Sequence, residues 1–201
     1  MNKYFYIKLC FFTVIVAFLL WVLTACLDTD MEELKTIPIQ TENTKTMYYR
    51  DLGYHFQYQK GFNSVPTEVP NDIRMILLDT KYKKIDYYFW LKFNNWFRKL
   101  KFENGIMAIN QNETLDCDNF AMLYKSLMSV SAYKGKTKIE PAVGVVVVKQ
   151  VNPFGGVPSG GLHMLNIVFA SNDFYIFEPQ TGEYIELQNY PNQKHIQYII
   201  L

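Results

Sequence analysis

Asp116-Cys117-Asp118-Asn119-Phe120-Ala121-Met122-Leu123 is the stretch whose reading decides the fold. Phe120, Leu123, Tyr124 and Leu127 recur at helical spacing and predict one apolar stripe. Asp116 is a suitable N-cap, because its short carboxylate can accept from the unpaired N–H groups of a first turn. Cys117 then stands in that first turn, where the helix end favours negative charge. A thiol attacks only as thiolate. Free cysteine titrates at about 8.5, and a helix N-terminus or a neighbouring imidazolium lowers that value.

C-terminal to this helix the pattern changes from period 3.6 to β. Residues 143–151 are β-branched and apolar, as in a buried strand. Residues 152–161 form a Gly/Pro loop, and residues 163–170 read as a second strand. Ser171-Asn172-Asp173 is a turn, and residues 174–178 complete a hairpin. Residues 179–182 turn the chain into residues 183–187, and residues 195–201 read as a short closing strand. Helices first and then an antiparallel meander give the α+β class.

N-terminal to Asp116, residues 87–102 are aromatic and basic, with Trp90, Phe93, Phe97 and Leu100 at helical spacing. That stripe reads as core. Lys92, Arg98, Lys99 and Lys101 leave open a contact with lipid headgroups. Asn71 or Asp72 could cap a further helix through Ile73, Ile76, Leu77 and Tyr82. Residues 47–70 read as an irregular or short-stranded flank, and residues 27–46 as a polar, acidic tether.

The first residues read as an address. Lys3 and Lys8 precede an uncharged apolar run, residues 9–25, which ends Leu23-Thr24-Ala25-Cys26. Basic start, apolar middle and small residues at the end are the parts of a secretory signal. The ending resembles a bacterial lipobox, which implies lipidation of Cys26 and a membrane anchor. An uncleaved anchor is the alternative, since about 17 apolar residues can just span a bilayer. Three segments follow: residues 1–25 as signal peptide, 26–46 as lipidated cysteine and tether, and 47–201 as a domain outside the cytoplasm.

The chain has 201 residues with net charge +1, so no basic excess argues for nucleic acid. At 49% hydrophobic and 16% aromatic it can build a bulky core without disulfides. Of Cys10, Cys26 and Cys117, only the last lies in the body of the protein, which excludes a disulfide framework. The histidines are His55, His163 and His195. His163, after the glycine-rich loop, could reach the Cys117 thiol. It would then need a partner to fix its tautomer. Glu178 and Asn166 are the candidates. Side chains alternate along a strand, so His163 and Asn166 point to opposite faces, and the expectation settles on Glu178. Gln111 could supply an oxyanion donor. His55 and His195 read as structural, and no His/Cys spacing suggests zinc.

This order of Cys, His and acid resembles papain-like and transglutaminase-like cysteine enzymes. Residues 116–121 look like the Asp-Cys-Asp-Asp-Phe-Ala signature of that group. His163-Met164-Leu165-Asn166 and Glu178-Pro179-Gln180-Thr181 look like the His-Ala-x-Asn and Glu-Pro-Gln-Thr segments of the papain-like domain at the C-terminus of Marasmius-type agglutinin. The likeness covers about residues 104–187, and Asn119 and Met164 depart from it. It implies a papain-like/transglutaminase-like α+β fold, with a Cys-bearing helix packed on an antiparallel sheet. It also implies Cys117 as nucleophile, His163 as base and acid, and Glu178 as orienter. No cofactor is required by the residues; calcium enters by resemblance only, and no metal ligands are assigned. The function so implied is a cysteine peptidase, or a related thiol hydrolase or acyltransferase, acting on a protein or cell-wall peptide. A cell-wall amidase or endopeptidase, and a non-catalytic membrane-anchored binding lipoprotein, are the alternatives. Oligomeric state is left open.

Overall fold

A computed structural model describes residues 37–39, 46–48, 74–106 and 116–201. They form β1 (Thr46–Tyr48), β2 (Arg74–Ile76), β3 (Lys81–Lys83), α1 (Tyr87–Glu103) and α2 (Cys117–Lys134). Then come β4 (Glu140–Pro141), β5 (Val143–Lys149), β6 (Leu162–Ala170), β7 (Asp173–Phe177), β8 (Tyr184–Glu186) and β9 (Ile196–Ile200). The larger sheet runs β2-β9-β5-β6-β7-β8, and a smaller one runs β1-β3-β4.

β6 sets the layering. Its pairing with β5 runs from Val143↔Val168 to Lys149↔Leu162, and with β7 from Asn166↔Phe177 to Ala170↔Asp173. Both faces of the strand are buried from Leu165 onward, which is why it reads as a nearly continuous apolar run. On one face, Leu165, Ile167 and Phe169 join Val146, Val148, Ile176, Leu187 and Tyr190. On the other, rings from the two helices meet rings of β7. Trp90 lies 4.9 Å from Tyr175, and Tyr124 lies 4.5 Å from Phe177.

α1 starts because the Asp86 carboxylate accepts from Phe89 N–H at 2.7 Å. Its buried residues are Trp90, Phe93, Asn94, Trp96, Phe97 and Lys101. Lys92, Arg98 and Lys99 are exposed, but Lys101 does not share their face. In α2 the buried stripe is Phe120, Ala121, Tyr124, Met128 and Ser131. Leu123, expected on that stripe, is half exposed. Trp90 Nε1–H donates to Tyr124 Oη at 2.9 Å, and the Tyr124 hydroxyl donates to Asn94 Oδ1 at 2.5 Å. The two helices thus share a buried polar chain.

Several expectations are corrected. The helix placed over Ile73, Ile76, Leu77 and Tyr82 is not found among the described residues, which exclude Ile73; Ile76 belongs to β2 and Tyr82 to β3. β2 pairs in parallel with β9, and the Tyr82 hydroxyl, buried, donates to Leu201 O at 3.1 Å. Pairing with the distant C-terminus overrode the local spacing. The closing strand starts at Ile196, and His195 falls in a short 3-10 turn, Gln193–His195. The expected papain-like/transglutaminase-like arrangement, a Cys-bearing helix packed on an antiparallel sheet, is also corrected. The large sheet is mixed, its last strand lies inside it between β2 and β5, and a second sheet is present. A local Cys–His–acid pattern does not fix strand order.

Candidate functional site

The beginning of β6, the end of β7 and the beginning of α2 supply one cluster of polar side chains. β6 and β7 are antiparallel, so the start of one lies beside the end of the other. One step past Asn166↔Phe177, position 178 comes opposite Leu165, diagonal to His163 and sharing its parity. His163 Nε2 lies 2.6 Å from Glu178 Oε2, with both side chains buried. The other Glu178 oxygen accepts the Gln180 N–H at 2.9 Å. Two acceptors are therefore satisfied, and the carboxylate is held in one orientation.

Cys117 is a free thiol, partly exposed, at the first position of α2. Asn119 Oδ1 accepts the Asp116 N–H at 3.2 Å, which steadies that helix start. Cys117 is near enough to His163 to act on its titration alongside Glu178. Burial opposes its charged form. Interaction with Cys117 and with Glu178 outweighs burial and raises it to about 9. The cationic form of the imidazole is thus favoured beside the Glu178 carboxylate.

Asn166 takes no part in that contact. Its Nδ2 donates to Ala121 O of α2 at 2.9 Å and to Gly144 O of β5 at 3.1 Å. It ties α2 to the sheet. Asp116 and Asp118 share a hydrogen bond that, with burial and mutual repulsion, raises the Asp118 carboxyl. Among the described residues, no group of three metal-ligating side chains is present. Gln111, Cys26, Cys10 and His55 lie outside the described residues, as do the signal segment and most of the tether. Among the described residues no helix is long and apolar enough to cross a membrane.

Two features escaped the sequence. Gly155 has φ +61°, and a Cβ there would fall 2.8 Å from both Cβ and Cγ of Glu178. The glycine-rich loop therefore lies directly on the Glu178 side chain. Lys101 is buried beside the Glu178 turn. Its signal was available, since it falls four residues after Phe97 and eleven after Trp90, on the apolar stripe of α1.

No family model matches the chain, and no curated protein matches it. Among solved structures it is similar to a PSL1a–E64 complex, at TM-score 0.49 and 15% identity over 78% of this chain. It is similar also to Polyporus squamosus lectin bound to the human-type influenza-binding epitope Neu5Acα2-6Galβ1-4GlcNAc, at TM-score 0.49 and 14% identity over 78% of this chain. The chain spans about half the length of those proteins, 50% and 49%. These findings correct the family reading. The similar structures are those of a lectin, and no family model supports the papain-like/transglutaminase-like resemblance or its tie to Marasmius-type agglutinin. The labels cysteine peptidase, hydrolase and papain-like came with that resemblance and go with it.

Proposed function

We propose that the chain is a lipid-anchored extracytoplasmic protein, held at a membrane through Cys26, whose Cys117, His163 and Glu178 form a thiol centre for acyl transfer. One observation carries the proposal: buried His163 pairs with buried Glu178 at 2.6 Å near the helix start that bears Cys117, and those two groups raise it to about 9 against burial. An imidazolium beside a sulfur at a helix start is the setting in which a thiolate is stabilised. The sulfur of Cys117 would attack an acyl carbonyl, forming a carbon–sulfur bond. His163 would give its proton to the departing group as the acyl–heteroatom bond breaks. An incoming acceptor would then lose its proton to His163 as it displaces the sulfur. Glu178 would hold the ring and stabilise its cationic form. Gln111 is proposed as an oxyanion donor, with the Cys117 N–H.

Incubation of the full-length chain with an activated acyl ester tests this. A mass increase of one acyl group is expected on the Cys117 peptide, and His163→Ala should abolish it. An acyl group spread over other nucleophiles, or unchanged in His163→Ala, contradicts the proposal. E64, an epoxysuccinyl reagent for activated thiols, is a second probe for the same peptide. Incorporation of labelled fatty acid, lost in Cys26→Ser, tests the anchor.

Recognition of a partner without catalysis is the second reading, and it is the one that accords with the lectin comparisons. Their ligand does not carry over at this level of similarity. The two readings separate on Cys117→Ala, which removes acyl transfer but leaves a purely binding function intact.

A further inference from the structure

Lys101 is a cation on the wrong face of its helix. It belongs to the last turn of α1, yet it is 5% exposed while Arg98 and Lys99 face solvent. Its ammonium donates to Pro179 O at 2.5 Å and to Gln180 O. Those carbonyls belong to the turn that follows Glu178. The same Nζ lies 5.4 Å from the Phe97 ring and 5.3 Å from the ring of Phe120, three residues after Cys117. One side chain therefore touches the helix that bears the thiol and the turn that bears the acid.

We propose that Lys101 is a positioning residue for the thiol centre, clamping the Glu178 turn and balancing the Glu178 charge from α1. This rests on the acyl-transfer proposal and adds to it the device that holds its acid. Gly155 lies against Glu178 and Thr181 of this turn, and Arg98 of α1 lies against its Gly182. Glu178 N–H donates to Glu183 O, and Gly182 N–H donates to Glu178 O, each at 2.8 Å. These close the turn upon itself but do not attach it to the helices. Lys101 ties the turn to α1 through charge-assisted bonds to two of its carbonyls. Burial lowers Lys101 to about 8; the charge of Glu178 pulls it up, and Arg98 pushes it down. A buried ammonium costs stability unless fully paired, so its retention on an apolar stripe needs a reason beyond packing. Holding Glu178 is that reason.

The test is a double-mutant cycle on the full-length chain, read as the rate of Cys117 alkylation by iodoacetamide at pH 7. Lys101→Met should slow it about tenfold, because a small displacement of a catalytic group costs at least that much. The melting temperature should stay level or rise, since a buried charge has been replaced by an apolar chain of similar length. Lys101→Arg, which keeps the charge, should recover part of the rate. Added to Glu178→Gln, Lys101→Met should cause no further loss, because both act through one group. If Lys101→Met fails to fold, Lys101→Gln takes its place in the cycle with the same expected pattern. A folded neutral variant with the wild-type rate overturns the proposal, as does full additivity with Glu178→Gln. Should Cys117 itself prove inert, amide exchange still reads the clamp. Gln180 and Gly182 N–H should exchange faster in Lys101→Met, and unchanged exchange overturns the clamp independently of the acyl-transfer proposal.

Discussion

The hairpin of β6 and β7 has two ends built on opposite plans. At its closed end, Ala170↔Asp173 flank a tight turn, with Ser171 at φ +56°, and Phe169 packs on Phe174 at 4.8 Å. This end is held by apolar packing and by backbone bonds to the segment before α1: Ile85 N–H donates to Phe169 O at 3.1 Å, and Ser171 N–H donates to Ile85 O at 3.0 Å. At the open end stand His163 and Glu178, both buried and 2.6 Å apart. This end is held from outside, by Lys101 from α1, by Gly155 from the loop after β5, and by Cys117 from α2. One end is held by neutral backbone bonds and apolar packing. The other keeps charge out of water, which is costly unless every partner is in place.

Breaking the closed end should cost the most stability and spare the chemistry per folded molecule. Phe174→Ala removes a buried ring from a dense cluster and should destabilise by about 3–5 kcal/mol. Chemical denaturation checks the loss, and alkylation of the remaining folded protein should keep its wild-type pH dependence.

The open end is sensitive to pH where the closed end is not. His163 is raised from 6.5 to about 9 in the folded chain. The stabilisation is therefore fully present below about pH 6.5 and lost as pH rises through about 9, by roughly 3 kcal/mol at most. Denaturation at pH 6 and pH 9.5 should show that loss in the wild type and its near absence in His163→Ala.

A smaller perturbation sharpens the contrast. Gly155→Ala places a methyl against the Glu178 stem at a φ of +61° that alanine resists. A loss of about 1–2 kcal/mol is expected, with slower alkylation of Cys117, because the side chain pushed aside is the one orienting His163. Smaller still is Glu178→Gln. It retains shape and should slow alkylation near neutral pH about tenfold, equivalent to about 1.4 kcal/mol. Asn166→Ala, by comparison, should act on stability and leave the alkylation profile in place, since that amide links α2 to β5 and β6.

The legible parts of the molecule share a physical cause. Strands β5, β6 and β7 are β-branched and apolar and adjacent in sequence, so local pattern and final pairing agree. The start of α2 was legible because Asp116 and Asn119 make a helix entrance with nearest neighbours alone. β2 was not legible, because its partner β9 lies more than a hundred residues away and nothing local marks a three-residue strand. The same distance hid the position of β9 inside the sheet. Alternation along β6 was enough to separate His163 from Asn166, but not to reveal Lys101 or Gly155, whose roles exist only once α1 and the loop fold over Glu178. The family resemblance drew on short motifs at three points, and such motifs constrain chemistry more tightly than topology.

The central claim concerns the thiol itself. At pH 6 an ordinary cysteine is only about 0.3% thiolate, given a free value of about 8.5. The most direct measurement is the iodoacetamide rate on the Cys117 peptide of the full-length chain at pH 6, beside His163→Ala. The wild type is expected to react at least about tenfold faster than the variant, with its rate nearly flat between pH 6 and pH 8. A slow rate that climbs tenfold per pH unit, identical in His163→Ala, would contradict it.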